Sequence, residues 1–339
     1  MRVLHAGTLT TVQDPGRPGF AHLGVSAAGA ADPFTLSLAN RLAGNREREA
    51  ALEITLTGPR LAFEKDAVIA LAGGRLAAHV DDVPIAMEQT VAVRAGQVLS
   101  LGALSSGLRT YLAVAGGIRV GRVLGSRATD TLAGLGPPPL AHGQRLPIRA
   151  AQLRHARYLR RPWRLDTEQP LRILPGPRAD WFTTSALERL LSEAYRVDAA
   201  SDRTGVRLQG PALERADARE LHSEGMATGA LQVPAGGQPI ALLPNHGPTG
   251  GYPAIATLIS ADQWRIAQAR PGQSVTFRQV SRAEALDALR AQAGYLRRAV
   301  ATADAELLRV RELIWLSQDP SALGELEVEH AGGHIRLRR

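Results

Sequence analysis

The 339-residue chain is 45% hydrophobic and 21% charged, the balance of a globular protein long enough for two full cores. It contains no Cys, which excludes disulfides, thiolate nucleophiles and Cys-based zinc sites. Its net charge of +8 is carried almost wholly by arginine, and the one lysine, Lys65 in FEKDA, reads as a surface turn residue, so P-loop, biotin-carrier and Ser–Lys amidase chemistry lack their central residue.

A first strand is expected within residues 2–9. TTVQDPGRPGFAHLGVSAAGAADPF, residues 10–34, reads as a long loop because Pro and Gly break any regular period, and long loops inside compact domains are often functional. It carries Gln13, Asp14, Arg17, His22, Ser26 and Asp32. Asp32 then caps a helix, with Pro33 at the first position, a stripe of Phe34, Leu38 and Leu42, and Gly44 as the stop. From Ala51 to Val114 short strands recur at roughly eight-residue spacing, the mark of a sandwich or barrel. Residues 123–139 form a second Gly- and Pro-rich loop. These elements make a β-rich first domain, 1–148.

Residues 149–169 are expected to be a basic, solvated linker. Arg154, Arg157, Arg160, Arg161 and Arg164 crowd there, but only Tyr158 and Trp163 accompany them, too few aromatics for a base-stacking surface. A second β-rich domain, 170–281, opens at LRILPG and includes an amphipathic helix over Ala179–Ala194. Within it, GQPIALLPNHGPTGGYPAIATLIS places NHGPTGGYP between the strand-like runs Ile240–Leu243 and Ile255–Ile259. That centre is either an ordinary hairpin connection or a loop presenting Asn245, His246, Thr249, Gly250, Gly251 and Tyr252 to a ligand. Ser281 and Glu284 form a capping box for a helix running to about Leu316, within a helical segment 282–318, with Gly294 a point of interruption. The tail, 319–339, is expected to be weakly ordered; His330 and His334 are separated by Gly332 and Gly333 and read as tail rather than as a metal site. No apolar run reaches the roughly 20 residues of a membrane helix, and the N-terminus lacks a signal core, so a cytoplasmic location is expected.

Two further clusters carry chemistry. In SDRTGVRL, Asp202 precedes Arg203 and Arg207, which a strand would place on one face to hold a carboxylate, carbamate or phosphate; a plain Asp–Arg turn pair is the alternative. In HSEGMATGALQVP, Ser223 and Glu224 precede a glycine turn whose backbone donors face a ligand or simply close a β-turn.

Taken in order, TTVQDPGRPGFAHLGVSAAGAADPF, LANRLAGNREREAALEITLTGP, LGSRAT, SDRTGVRLQGPAL, SEGMATGALQVPAGGQPIALL and TGGYPAIATLISAD resemble the family of the C subunit of bacterial 5-oxoprolinase, also called kinase-inhibitor antagonist or allophanate hydrolase subunit 2. The chain is also similar to part of the carboxyltransferase region of urea carboxylase. The resemblance implies a mainly β fold with peripheral helices (α+β), two β-rich domains and cyclophilin-like β-barrel character. It implies a hydrolase subunit, inactive without a cyclophilin-like B subunit and an A subunit, in an ATP-dependent hetero-oligomer that opens 5-oxoproline to glutamate. Two other implied roles are a regulatory protein that antagonises the B subunit and a biotin-dependent carboxyltransferase subunit. No covalent cofactor, metal, nucleic acid or membrane is implied; ATP serves the complex, and biotin enters only on a partner chain. The resemblance carries Asp14, Arg17 and His22, then Asp202, Arg203 and Arg207, then Ser223 with Thr249–Tyr252, as substrate-binding positions. His246, Asn245 and Glu224 are the catalytic candidates. Relatives often have Asp-Arg/His-Gln-Thr where this chain has Asn245, His246, Gly247 and Pro248.

Overall fold

The computed structural model describes residues 1–149, 151, 153, 155–161, 169–216, 219–303, 326–330 and 333–337. The fold is mainly β, its two large sheets curled into a half-barrel and a nearly closed barrel. The first sheet contains β1 (Arg2–His5), β2 (Leu9–Gln13), β3 (Ala51–Thr55), β4 (Arg60–Ala62), β5 (Ala67–Val80), β6 (Val83–Pro84), β7 (Thr90–Val93) and β8 (Val98–Val114). β2 thus takes the first residues of the expected loop, and two long strands replace several of the short ones expected between Ala51 and Val114. β5 and β8 pair antiparallel from Ile69–Val114 to Val80–Leu99 through register shifts that let them bend. Their inward residues, with Leu52, Ile54 and Leu61, form the first core.

Helix α1 (Pro33–Leu42) packs on β5 and β8. The contact face of the sheet is built of Ala70, Ala72 and Ala113, small enough for Leu38 and Leu42 to approach closely. Leu159 is fully buried in the same cluster. It belongs to β9 (Ala156–Leu159), which pairs antiparallel with the segment Val300–Ala303, so the expected solvated linker contributes a strand and a core residue. Arg154, Trp163 and Arg164 lie outside the described residues.

The second sheet is built of β10 (Leu171–Pro175), β11 (Tyr195–Val197), β12 (Gly205–Gln209), β14 (Ala230–Gln232), β15 (Ile240–Leu242), β17 (Ala254–Leu258), β18 (Ser274–Val275) and β19 (Phe277–Gln279). Its strands run in the order β18-β11-β12-β15-β14-β17-β10-β19. The expected helix over Ala179–Ala194 is shorter: a 3-10 turn at Ala179–Trp181, then α2 (Thr184–Ser192) capped by the Thr183 hydroxyl. β13 (Glu224–Gly225) pairs with β16 (Thr249–Gly250) outside the main sheet. α3 (Gln263–Gln268) lies against β8 and joins the two halves.

The capping box forms as expected: the Ser281 hydroxyl accepts from the Glu284 amide, and the Glu284 carboxylate accepts from the Ser281 amide at 2.8 Å. Helix α4 (Arg282–Ala299) runs through Gly294 without a break, but it ends at Ala299. Val300 starts β20 (Val300–Ala303), correcting the expected helix there: the partner strand β9 captures the backbone. Residues 304–316 lie outside the described residues. In the tail, β21 (Leu326–His330) and β22 (Gly333–Leu337) form a hairpin with His330 opposite Gly333 and His334 opposite Glu329. No helix among the described residues is long and apolar enough to cross a membrane.

Candidate functional site

Polar residues from both halves meet in a buried junction. Glu53 sits in β3 between Leu52 and Ile54, and it is buried. One carboxylate oxygen accepts from Arg203, with Arg109 3.6 Å away. The other accepts from the Ala31 amide at 2.8 Å and the Tyr111 hydroxyl at 2.7 Å. Arg203 also donates to the Gly29 carbonyl and to Asn245 Oδ1. Burial lowers the Arg203 pKa to about 10, so the guanidinium stays charged at neutral pH. Behind this pair, Gln268 donates to Asp32 at 2.8 Å and accepts from the Arg109 amide at 2.9 Å. Burial pushes the Asp32 carboxyl up, against hydrogen bonds from Thr35 and Gln268.

Arg203 and Arg207 therefore do not share a face. Arg203 lies in the turn before β12 with its side chain inside the junction, whereas Arg207 is in the strand and exposed. Strand alternation starts only at Gly205, which is why the four-residue spacing misleads. Asp202 accepts from the Thr204 and Gly205 amides and closes that turn. Asp14 and Arg17 are also turned inward. Asp14 accepts from the Gly16 amide, the Ser126 hydroxyl and the Arg127 amide. Arg17 donates to the Val123 and Ala128 carbonyls and lies 3.6 Å from Asp130. His22 is exposed on a 3-10 turn, Ala21–Leu23.

Gly29 shows how tightly the loop is folded. Its φ is +93°, and a Cβ there would stand 2.7 Å from the Gly16 nitrogen and 2.9 Å from the Asp14 oxygen. Gly29→Ala is expected to cost about 2–4 kcal/mol from left-handed strain plus overpacking against backbone. A thermal unfolding midpoint equal to that of the parent chain would contradict this.

The NHGPTGGYP stretch is not a hairpin connection. β15 and β17 each pair with β14, which lies between them. The stretch instead bridges the junction and the rim. Asn245 is fully buried, its amide nitrogen donating to Thr131 at 3.3 Å, so it is a tether between halves. His246 is mostly buried, and its Nδ1 lies 2.6 Å from the Gly247 carbonyl oxygen. A carbonyl only accepts, so Nδ1 carries the proton and Nε2 of the neutral ring is the acceptor. Burial lowers the His246 pKa, partly offset by that hydrogen bond. At the rim, Glu224 pairs with Gly250 and Gly225 with Thr249. Ser223, Thr249, Gly251 and Tyr252 are exposed there. Glu224 accepts from Arg178 at 2.6 Å, and Arg178 and Arg219 lie over the Trp181 ring at 5.4 and 4.6 Å. The ladder thus brings the Ser223–Glu224 and Thr249–Tyr252 clusters together, with the buried His246 three residues before Thr249 in the chain; the Asp14–Arg17 and Arg203 clusters support the junction instead.

Sequence reasoning passed over Arg109, Tyr111, Gln268, Arg178 and Trp181 as site-building residues. The signal for the junction was a charge inside an apolar strand, as in LEIT, since such a residue is rarely buried without a partner. Nothing local marks Arg178 and Trp181. A groove of about 480 Å³ lies elsewhere, among Phe34, Arg172, Asp262, Trp264 and Tyr295, and none of the predicted site residues lines it. Among the described residues no three His, Asp or Glu side chains gather as metal ligands.

Two curled sheets joined through a buried polar junction define the class. The chain matches the family model for the carboxyltransferase domain, subdomain A and B, over residues 23–279, and it belongs to that family. It is 40% identical to the C subunit of 5-oxoprolinase from Escherichia coli (strain K12) over 298 residues, 87% of this chain and 96% of that protein. The solved urea amidolyase of K. lactis aligns with a TM-score of 0.80 and 29% identity, covering 87% of this chain and 19% of that one. The solved Kluyveromyces lactis urea carboxylase aligns with a TM-score of 0.80 and 26% identity, covering 99% of this chain and 32% of that one.

Proposed function

We propose that the chain is one subunit of an ATP-dependent lactam- or amide-opening hydrolase, in the first instance 5-oxoprolinase, working in the cytoplasm with a B subunit and an A subunit. The observation that carries this is the 40% identity that extends over 96% of the E. coli 5-oxoprolinase chain, while the urea enzymes are matched over a small part of their length. The site supports it with a buried imidazole whose Nδ1 is held by the Gly247 carbonyl, on the segment that leads into the β13–β16 rim. Water adds to the lactam carbonyl carbon, the ring C–N bond breaks, and the departing nitrogen takes a proton. His246 Nε2 is the acceptor for the water's proton, and the rim amides and hydroxyls orient the substrate. ATP is a co-substrate of the complex: its terminal P–O bond breaks, the phosphoryl group passes in the end to a second water, and ADP and phosphate leave as the ring opens.

The test is reconstitution of the purified chain with its B and A subunits, ATP and 5-oxoproline, measuring glutamate. Glutamate release that needs all three chains is expected; release from B and A alone at the full rate would end the proposal. Carboxyl transfer is the second reading, favoured by the family match and by the 99% coverage against the urea carboxylase. Lys65 is exposed between Glu64 and Asp66 with no Met beside it, so a biotinyl group would have to arrive on a partner. Activity abolished by avidin would select this reading.

A further inference from the structure

We propose that the groove between α4 and the β10–β19 strand pair binds a small organic anion that joins a flat ring to a carboxylate or phosphate, such as an aromatic carboxylate or a nucleoside monophosphate. The site is separate from the rim and the junction and stands apart from the hydrolase reading. The groove has a volume of about 480 Å³, within the range of small-ligand sites. Four parts of the chain line it: the start of α1, the β10–β19 pair, the segment 261–265 and one side of α4.

Two arginines on neighbouring strands carry the inference. Arg172 and Arg278 are register partners in the parallel β10–β19 pair, and both line the groove. Like charges set opposite each other across a strand pair repel, so the arrangement calls for an anion between them. The carboxylates at hand do not cancel the charge. Asp262 takes Arg172 Nε at 3.0 Å and Nη2 at 2.7 Å on its two oxygens, and Arg265 lies 3.4 Å from the same group. One buried carboxylate thus serves two cations. Arg172 Nη1 has no partner among the described residues, and its side chain is 31% exposed. Arg278 is paired with Glu284 at 3.6 Å, with both side chains more than half exposed, and Glu284 already accepts from the Ser281 amide. An exposed pair of this kind contributes little.

The apolar part of the lining defines the rest of the ligand. The Phe34 ring centroid lies 5.9 Å from that of Trp264 and 6.0 Å from that of Tyr295, so the three rings form one continuous cluster. All three line the groove, and on α4 the short side chains of Ala288 and Ala291 precede Tyr295 and leave the space open. Aromatic walls receive flat rings, while guanidiniums receive carboxylate or phosphate through paired hydrogen bonds. The walls are also fixed in advance. Arg265 donates to the Pro170 carbonyl at 3.0 Å, and the Gln292 amide donates from α4 to the Ala261 carbonyl at 3.1 Å. Little side-chain freedom is lost when a ligand enters such a site.

Calorimetric titration of the purified full chain with AMP, benzoate, benzyl alcohol and inorganic phosphate tests the site. AMP, benzoate or both should saturate a single site, and which of them does so separates a phosphate ligand from a carboxylate one. Benzyl alcohol, the ring without the charge, and inorganic phosphate, the charge without the ring, should each bind at least about tenfold more weakly. Arg278→Glu is expected to weaken the ring-bearing anion about tenfold or more. Ala291→Trp, which fills the groove from an exposed position on α4, should abolish binding. Both variants should keep the parent's thermal unfolding midpoint, because both positions are exposed. Saturable binding that survives both variants would place the ligand elsewhere and overturn the site. Absence of saturable binding of both ring-bearing anions to the parent chain, or inorganic phosphate binding as tightly as AMP, would overturn it as well.

Discussion

Arg203→Met is expected to destabilise the protein by about 3–5 kcal/mol, because it leaves the buried Glu53 carboxylate without its main counter-charge. Glu53 keeps the Ala31 amide, the Tyr111 hydroxyl and Arg109 at 3.6 Å. These donors do not restore a full ion pair in a site with almost no solvent. The loss is a large part of the roughly 5–15 kcal/mol that holds a domain folded. It also frees Asn245 Oδ1 and the Gly29 carbonyl, the latter a contact between the halves. The double variant Glu53→Gln/Arg203→Met should cost clearly less than the two single changes added together, since Glu53 and Arg203 no longer strand each other, although Arg109 loses the Glu53 charge 3.6 Å away in both the single Glu53 variant and the double. Urea unfolding of the parent and the three variants reads both results. Additive losses, or a single-variant loss below about 1 kcal/mol, would show that the pair is not the keystone of the junction.

His246→Ala is expected to lower kcat/KM of the reconstituted enzyme on the order of 10²–10⁴-fold while the chain stays folded and bound to its partners. The imidazole hydrogen-bonds to a backbone carbonyl rather than to a buried charge, so its removal strands no ionised partner. The pH behaviour follows from burial. The folded pKa lies below the ordinary value, so the ring is neutral and competent as a base through neutral pH and somewhat below it. As pH falls below the unfolded value, about 6.5, the unfolded chain binds the proton first. His246 therefore opposes folding progressively from there down through the folded pKa, and His246→Gln should lessen that acid sensitivity. A variant with parent-like kcat/KM and an unchanged acid limb would remove His246 from the reaction.

Much of the local architecture was legible in the sequence. Asp32, Pro33 and Gly44 delimit α1 because cap chemistry is a matter of a few adjacent residues, and the Ser281–Glu284 box starts α4 for the same reason. The β-rich character of both halves followed from short apolar runs between turns. The C-terminus of α4 was not legible, because Val300 fits a helical stripe equally well and only pairing with β9 makes it a strand. The alternative of a hairpin at NHGPTGGYP failed for a related reason: β14 inserts between two strands adjacent in the chain, and inter-strand order is not a local property.

For the candidate site the division is sharper. The sequence by itself determined which loops are rich in polar and glycine residues, that a thiol or P-loop lysine has no part, and which residues match the family's motifs. Only the tertiary structure decided which way those residues face. Arg203, Asp14 and Arg17 turned inward because each found partners on segments distant in the chain: Glu53, Ser126 and Arg127, and Val123 and Ala128. Burying a charge is tolerated only where such partners converge, and convergence is set by how the two sheets pack. Ser223, Glu224, Thr249 and Tyr252 reached the rim because the β13–β16 ladder holds their loops outside the main sheet. Residue type and spacing are the same in both outcomes; long-range packing separates a rim-exposed group from a buried structural one.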